Sequence, residues 1–164
     1  MLKRYTIVNP VLLVTARKNK ENKCIIEIMN RILIRDINAK IEEVVKNVFL
    51  VYSSLSPMET YGLLFSARPS CIAKVYPIHF MIPSTQEEEI IRKTIENAKK
   101  IVKTSFYVDC HKRGIEVNCR QIEIGIGLGL KGYAKVDFKK PDFVVVINVI
   151  PNLATVSYVK NTFG

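Results

Sequence analysis

The sequence predicts an α/β protein made of two structural units, with strands and helices in each half. Short apolar runs alternate along the chain with segments whose apolar residues recur at helical spacing. Residues 83–85, Pro-Ser-Thr, give a strong boundary signal near the middle of the chain. Of the 164 residues, 48% are hydrophobic, which is enough for the cores of two small packed domains. We expect these domains at 1–82 and 83–164.

The first half is predicted as strand, helix, strand, strand, helix, strand. Cys24, Ile28 and Ile32 follow helical spacing, and Ser56 stands as an N-cap before Pro57, a residue favoured at the first helical position. The expected elements are a strand at 11–15, a helix over 24–32, strands at 40–46 and 48–52, a helix over 57–67 and a strand at 71–82. This order is that of a ferredoxin-like split βαβ unit.

The second half begins with a capping-box spacing, Ser84 to Glu87, which predicts a long helix that reaches Val102. Asn118 and Gln121 predict the start of another helix in the same way. The other expected elements are strands at 105–111, 135–138, 143–149 and 154–159. Because the segment at 143–149 is apolar except for Asn148, it is typical of a strand buried on both faces.

The charge of the chain favours a polyanionic partner. The formal net charge is +10, the estimated pI is 9.5, and both halves are basic. Lys and Arg that neutralise phosphates release condensed counterions, which favours nucleic-acid binding. Ordinary solubilising charge is the alternative reading. The longest apolar run, at 143–147, is too short to span a bilayer, and no signal pattern occurs at the N-terminus, so we expect a cytoplasmic protein without a membrane partner.

The cysteines predict neither a metal site nor disulfides. Cys24, Cys71, Cys110 and Cys119 contain no CxxC pair, and His111 adjoins Cys110, so their side chains would point to opposite faces of a strand. We therefore expect reduced thiols in the core of a cytosolic protein.

The spacing of three glycines raises the question of whether the chain binds a nucleotide. Gly127, Gly129 and Gly132 have the spacing of a dinucleotide fingerprint, which needs a strand before it and a helix after it. Here a predicted helix precedes and a strand follows, so we interpret them as glycines that end the helix and let it pack closely on the sheet. The two histidines of the chain, His79 and His111, show no catalytic spacing, and no common catalytic motif occurs. We predict no cofactor and no enzymatic activity.

Basic residues recur at predicted strand ends and turns. Loops on a rigid sheet suit phosphate contacts, which need charge but carry no sequence information. The candidate RNA-binding residues are Arg17, Lys18, Lys112, Arg113, Lys131, Lys139 and Lys140.

Two motifs of the second half resemble the THUMP family of RNA-binding domains. One is Ser105-Phe-Tyr-Val-Asp-Cys-His-Lys-Arg-Gly114, similar to the family's strand that ends in basic residues and glycine. The other is Lys135-Val-Asp-Phe-Lys-Lys-Pro-Asp-Phe-Val-Val-Val146, similar to its Val-Asp-Leu-x-x-Pro-Asp turn and following strand. With the preceding helix they cover about residues 84–160.

The first half resembles the N-terminal ferredoxin-like domain that usually accompanies THUMP. Residues 14–17 and, less specifically, 55–57 and 75–78 make the chain most similar to the stand-alone THUMP proteins that assist tRNA cytidine acetyltransferase. The resemblance implies two packed α/β units and a basic cleft between them for the acceptor stem and 3′ end of tRNA. It also implies phosphate contacts by Lys112, Arg113, Lys139 and Lys140, with the chemistry supplied by another polypeptide.

The leading hypothesis is therefore a tRNA-binding adaptor that presents tRNA to a separate modification enzyme, an acetyltransferase by the resemblance. The alternative is a ferredoxin-like regulatory domain that binds a small metabolite at a dimer interface. A third hypothesis is an enzyme with a site around His79 or His111.

Overall fold

The computed structural model describes residues 8–160, which contain nine strands and four helices. Two compact units meet between Ile78 and His79. Residues 79–82, which were expected in the first domain, belong to the second unit. Residues 1–7 and 161–164 of the two predicted domains lie outside the described residues.

The first unit contains the six elements in the predicted order. They are β1 (Asn9–Ala16), α1 (Glu21–Ile32), β2 (Lys40–Val45), β3 (Val48–Ser53), α2 (Pro57–Ser66) and β4 (Ile72–Pro77). The sheet order is β2-β3-β1-β4, and every neighbouring pair is antiparallel. Apolar side chains of α1 and α2, such as Ile28 and Leu64, are buried with Leu12, Val14 and Phe49 of the sheet.

Local signals explain two boundaries in this unit. The Ser56 hydroxyl accepts a hydrogen bond from the Glu59 N–H at 3.2 Å and thereby caps α2, as predicted. Asn47 adopts a φ of 67° in the tight turn between β2 and β3, a conformation that asparagine tolerates better than most residues.

A buried carboxylate fixes the loop after α1. Asp36 accepts hydrogen bonds from the Ser53 hydroxyl at 2.7 Å, the Ser54 N–H at 2.8 Å and the Asn38 N–H at 3.0 Å. Desolvation, the largest single effect on the group, raises its pKa, but the hydrogen bonds together outweigh it and hold the pKa of Asp36 below its usual range.

The second unit has a five-stranded mixed sheet with two helices. Its elements are β5 (Phe80–Ile82), α3 (Glu87–Ala98), β6 (Ser105–Lys112), α4 (Cys119–Gly129), β7 (Lys135–Val136), β8 (Phe143–Ile150) and β9 (Leu153–Lys160). The sheet order is β5-β9-β8-β6-β7. Strand β6 is parallel to both β7 and β8, whereas β9 is antiparallel to β5 and β8.

The strand predicted at 71–82 is in fact two strands in two sheets. β4 pairs with β1, whereas β5 pairs with β9. Between them the Ile78 N–H bonds to the carbonyl of Val11, and the His79 N–H bonds to the carbonyl of Val156. The sequence pattern did not reveal this break, because apolar residues continue across it, with Ile78 before it and Phe80, Met81 and Ile82 after it.

The capping box predicted for α3 is also wrong. The helix begins at Glu87 with Gln86 as its N-cap, and the Ser84 hydroxyl instead accepts from the Gln86 N–H in the preceding turn. The Glu87 carboxylate accepts from the backbone N–H of Asn118 at 2.9 Å. The helix ends at Ala98, before the predicted Val102.

Helices α3 and α4 pack closely against each other. A Cβ atom on Gly129 would lie 2.1 Å from Cδ1 of Ile95, and one on Gly125 would lie 2.7 Å from Cδ1 of Ile91. Both glycines therefore leave room for side chains of α3, and the close packing on the sheet that was predicted for Gly129 was wrong. Gly132, after the helix, has a φ of 92°.

The prediction of reduced core thiols was wrong. Cys24 of α1 is disulfide-bonded to Cys71, with their Cα atoms 5.4 Å apart, and Cys110 of β6 is bonded to Cys119 of α4, with Cα atoms 5.3 Å apart. The sequence separations of 47 and 9 say nothing about these distances, which arise only when the elements pack.

Two further structural findings concern membrane spans and metal ligands. Within residues 8–160, no helix is long and apolar enough to cross a membrane. In the same range, no group of three or more His, Cys, Asp or Glu side chains is arranged to hold a metal ion.

Candidate functional site

The carboxyl end of β6 holds the first two candidate residues of the second unit, Lys112 and Arg113. The Arg113 N–H donates to the carbonyl of Val149 at 2.9 Å, and its Nε donates to Oδ1 of the buried Asn148 at 2.7 Å. Both acceptors belong to β8, the parallel neighbour of β6. The guanidinium is thus fixed at the carboxyl ends of two parallel strands, the edge of an α/β sheet where ligands commonly bind.

The surroundings of this pair favour an anion. Gly114, with a φ of 71°, lets the chain turn directly after the pair, and the next helix, α4, begins a few residues later. Asn118 caps that helix by accepting from the Gln121 N–H at 3.1 Å, and the first turn carries no acidic residue. The positive end of the helix dipole adds to the basic side chains, although the Glu87 carboxylate already accepts from the Asn118 N–H at this helix end. Lys112 itself forms an ion pair with Glu116. We call Lys112 and Arg113 the carboxyl-end cluster.

Lys139 and Lys140 lie at the opposite end of β6. β7 pairs with Ser105 and Phe106 at the start of β6. The loop after β7 is fixed by a hydrogen bond of 2.9 Å that the Asp137 N–H donates to the carbonyl of Phe106. The loop then returns to β8, with the Asp142 N–H donating to the hydroxyl of Ser105.

The side chain of Asp137 shapes this loop. Its Oδ1 accepts from the N–H groups of Lys140 and Lys139 at 3.1 and 2.9 Å. These two hydrogen bonds hold the pKa of Asp137 below its usual range. The turn therefore fixes the backbone of both lysines, whose side chains are exposed.

Lys131 completes the second group. It follows the last turn of α4 and borders the same region as Lys135 and Phe106. We call Lys131, Lys139 and Lys140 the amino-end cluster. From Phe106 to Lys112 the strand advances six residues, or about 20 Å. The four residues that the resemblance assigned to phosphates therefore divide into two groups at opposite ends of one strand.

The first unit holds the remaining two candidates. Arg17 and Lys18 follow β1 and are both exposed. The backbone of Arg17 is fixed by its N–H, which donates to the carbonyl of Cys71 at 2.7 Å, and by its carbonyl, which accepts from the Lys20 N–H at 3.1 Å.

A groove that was not predicted from the sequence lies between α4 and the side of β6 that carries β7. Its volume is about 680 Å³. Apolar side chains line most of it, and basic side chains stand at its rim. The apolar lining includes Val108, Ile124, Leu128, Val136 and Phe138, and the basic residues at the rim are Arg120, Lys131 and Lys135. A signal was present: Ile124 and Leu128 lie four residues apart on α4 but outside the buried Ile122, Ile126 and Leu130 stripe.

The two histidines have different surroundings. His79 Nδ1 accepts from the Tyr158 N–H at 3.0 Å, and desolvation of its ring lowers the pKa of His79 although part of the residue is exposed. His111 Nε2 lies 3.0 Å from Oδ2 of Asp109 on the same strand. The glycine motif that resembles a dinucleotide fingerprint lies within and directly after α4, not between a strand and a helix.

Larger proteins of known structure share the fold. PH1313 from Pyrococcus horikoshii Ot3 matches with a TM-score of 0.67 over 94% of this chain and 54% of its own length, at 18% identity. A 4-thiouridine synthetase in complex with RNA and ATP matches with a TM-score of 0.60 over 91% of this chain and 40% of its own, at 20% identity. TrmN from Thermus thermophilus gives 0.60 over 90% and 44%, at 18% identity.

The chain thus spans about half or less of the length of these structures. At such identities the likeness concerns the fold, and it supports the THUMP-type α/β fold predicted from the sequence motifs. No protein-family model matches the sequence, and a search of curated proteins finds no match.

Proposed function

We propose that this chain is a THUMP-type module that binds tRNA and presents it to a separate tRNA-modifying enzyme. The observation that carries the proposal is the carboxyl-end cluster, in which Arg113 is anchored by Asn148 beside the N-terminus of α4. A planar guanidinium held in one orientation suits a phosphate better than a mobile ammonium group, because less side-chain freedom is lost on binding.

The charge of the chain supports the same proposal. A net charge of +10 supplies the counterion release that favours a polyanion, and phosphate contacts position an RNA without reading its sequence. We assign the primary contact to Lys112 and Arg113. Arg17 and Lys18, exposed at the end of β1, are proposed as a further contact made by the first unit.

The first unit is proposed to be ferredoxin-like. Its βαββαβ order and its antiparallel sheet order β2-β3-β1-β4 are those of a split βαβ unit. The alternative hypothesis needed a small metabolite bound by such a unit. Since the apolar groove lies in the second unit, nothing favours that alternative, and RNA binding is retained as the single proposal.

The adaptor role, in which the chain itself is not an enzyme, rests on the resemblance to stand-alone THUMP proteins. It includes cytidine acetylation by a separate acetyltransferase and a cytoplasmic location. Among the solved structures of the same fold, the 4-thiouridine synthetase is one whose crystals contain RNA, which supports RNA as the ligand class to test first.

The test is binding of the purified chain to an intact tRNA, the same tRNA without its 3′ end and a random duplex, across a salt series. We expect a preference for intact tRNA that persists at physiological salt, and a loss of that preference in Arg113→Glu. Lys103→Glu, which reverses an exposed charge of the same unit outside both clusters, is the matched control and keeps the preference.

Equal and steeply salt-dependent binding to all three RNAs would reduce the interaction to nonspecific electrostatics. Equal losses in Arg113→Glu and Lys103→Glu would remove the carboxyl-end cluster from the proposal, since net charge alone would then explain the affinity.

A further inference from the structure

We propose that the groove between α4 and β6 binds an extended, acidic segment of a protein partner, which adds a strand to the free edge of β6. We call this site the α4–β6 groove. The identity of the partner rests on the proposed function, because the separate modifying enzyme is the expected source of the segment. Three independent features support this proposal: the strand edge, the apolar lining and the charge of the rim.

The edge of β6 is open along most of its length. β7 pairs with Ser105 and Phe106 alone, and no other strand of residues 8–160 pairs with this side. The carbonyl of Phe106 points to this side, because it accepts from Asp137. Since backbone groups alternate along a strand, those of Val108 and Cys110 point the same way.

One of these edge groups is already satisfied within the chain. The Cys110 N–H donates to a carboxylate oxygen of Glu123 on α4 at 2.9 Å. The N–H and carbonyl of Val108 and the carbonyl of Cys110 remain on the edge that faces the groove. Natural proteins usually protect such an edge, and a peptide strand that docks there satisfies it through main-chain hydrogen bonds.

The apolar lining offers pockets for alternate side chains of such a strand. Ile124, Leu128 and Phe138 are 51%, 67% and 76% exposed, and Val136 stands between the helix and the loop. A cluster of large exposed apolar side chains beside a cavity of about 680 Å³ marks an interaction site rather than ordinary surface. Most of these side chains are aliphatic, so they suit apolar peptide side chains better than stacked bases, which favour aromatic rings.

The rim fixes the charge of the occupant. Arg120, Lys131 and Lys135 border the groove, and Lys139 and Lys140 follow Phe138 in the sequence. The acid in the lining, Glu123, is engaged by the backbone of β6. A segment with apolar residues on one face and carboxylates on the other therefore complements the groove.

The test is an NMR titration of the full isotope-labelled chain with a synthetic peptide of alternating valine and glutamate, about as long as the eight residues of β6. One control peptide has serine in place of valine, and a second has the same sequence with every backbone amide methylated. We expect saturable shifts at Val108, Cys110 and Leu128, and binding about tenfold weaker for each control peptide.

Two variants complete the design. Leu128→Glu places a carboxylate in the groove and abolishes the response, whereas Ile34→Glu, at an exposed isoleucine of the first unit, preserves it. Lys112→Glu combined with Arg113→Glu weakens the response less than Leu128→Glu does, because that pair borders only the carboxyl end of the open edge.

Absence of saturable shifts, or equal binding of the fully methylated peptide, would overturn the strand-addition proposal. Stronger shifts at the same residues with a single-stranded RNA of similar length would overturn it in favour of a nucleic-acid site. A chain that binds the peptide but not tRNA would refute the proposed function and leave the groove standing, and the reverse result would refute the groove alone.

Discussion

The two ends of β6 carry similar numbers of basic residues but present different chemistry. At the carboxyl end, Arg113 is anchored to the buried Asn148, and Lys112 is paired with Glu116. At the amino end, Lys131 borders the groove beside the exposed side chains of Leu128 and Phe138, and Lys139 and Lys140 follow Phe138 in the sequence. The number of basic residues therefore does not distinguish the two ends of β6. The groups that surround each basic side chain do.

The connections of β6 produce this difference. The chain leaves its carboxyl end and enters α4, so a helix N-terminus adjoins Lys112 and Arg113. α4 then returns along the strand, and the two-residue β7 covers the strand edge at its first two positions only. A crossover helix followed by a short edge strand thus creates a polar site and an apolar site on one strand.

The largest expected effect is the loss of tRNA affinity on charge reversal, which should differ between the two clusters. Lys112→Glu with Arg113→Glu should weaken tRNA binding on the order of 100-fold, because two charge-assisted contacts of about 1.5 kcal/mol each are lost. Lys139→Glu with Lys140→Glu makes the same change in net charge but should weaken it by less than about fivefold. Fluorescence anisotropy at constant ionic strength measures both. Equal losses would merge the two ends into one RNA site.

A second prediction concerns the two faces of α4, the helix that joins the two ends. Gly129→Ala should destabilise the chain by about 1–3 kcal/mol, since its Cβ would overlap Ile95. Gly127→Ala meets no atom closer than 4.0 Å and should stabilise it by up to about 1 kcal/mol, because alanine is the better helix former. Urea unfolding measures both. A stable Gly129→Ala variant would show that α3 yields to the added methyl group.

A third prediction concerns the ion pair between Lys112 and Glu116 at the carboxyl end. Glu116→Gln removes its ion-pair partner and a nearby negative charge, so tRNA binding should become about two- to fivefold tighter, the range expected for an exposed pair. Glu96→Gln breaks a comparable exposed pair with Arg92 on α3 and should leave the affinity unchanged. An unchanged affinity in Glu116→Gln would mean that Lys112 makes no phosphate contact.

The smallest expected effect is a pH response confined to the amino end. Since the folded pKa of Asp137 lies below its unfolded value near 3.8, its hold on the loop is complete above that value and is lost as the pH falls through the folded pKa. The amide signals of Lys139 and Lys140 should therefore shift on acidification, and Asp137→Asn should abolish that transition. The Arg113 amide, bonded to Val149, serves as the internal control. A transition that persists in Asp137→Asn would assign it to another acid.

The order of elements could be predicted because each depends on local pattern. Ile122, Ile126 and Leu130 follow helical spacing, and all three are buried, the first two within α4 and Leu130 as its C-cap residue. What failed depended on packing between distant segments. The break after Pro77 depends on two different partner strands, and the bond between Cys24 and Cys71 depends on where α1 meets the start of β4.

The candidate site was predicted in the same partial way. The strand-end position of Lys112 and Arg113 follows from the apolar strand that precedes them, and the structure has β6 end at Lys112. The separation of this pair from Lys139 and Lys140 could not be predicted, because it depends on the direction in which the chain runs through the sheet. The groove could not be predicted either, since no local pattern states that β7 is only two residues long.

The place of β5 in the sheet has a consequence for biosynthesis. This strand is the first element of its unit, yet its one strand partner within residues 8–160 is β9, the last element, through pairs such as Phe80 with Val156. At ribosomal speeds of about 5–20 residues per second, β9 follows β5 by roughly 4–15 s. During that interval Phe80, Met81 and Ile82 have no strand partner and are available to chaperones or to other nascent chains. Completion of this sheet is therefore timed by translation of its final hairpin.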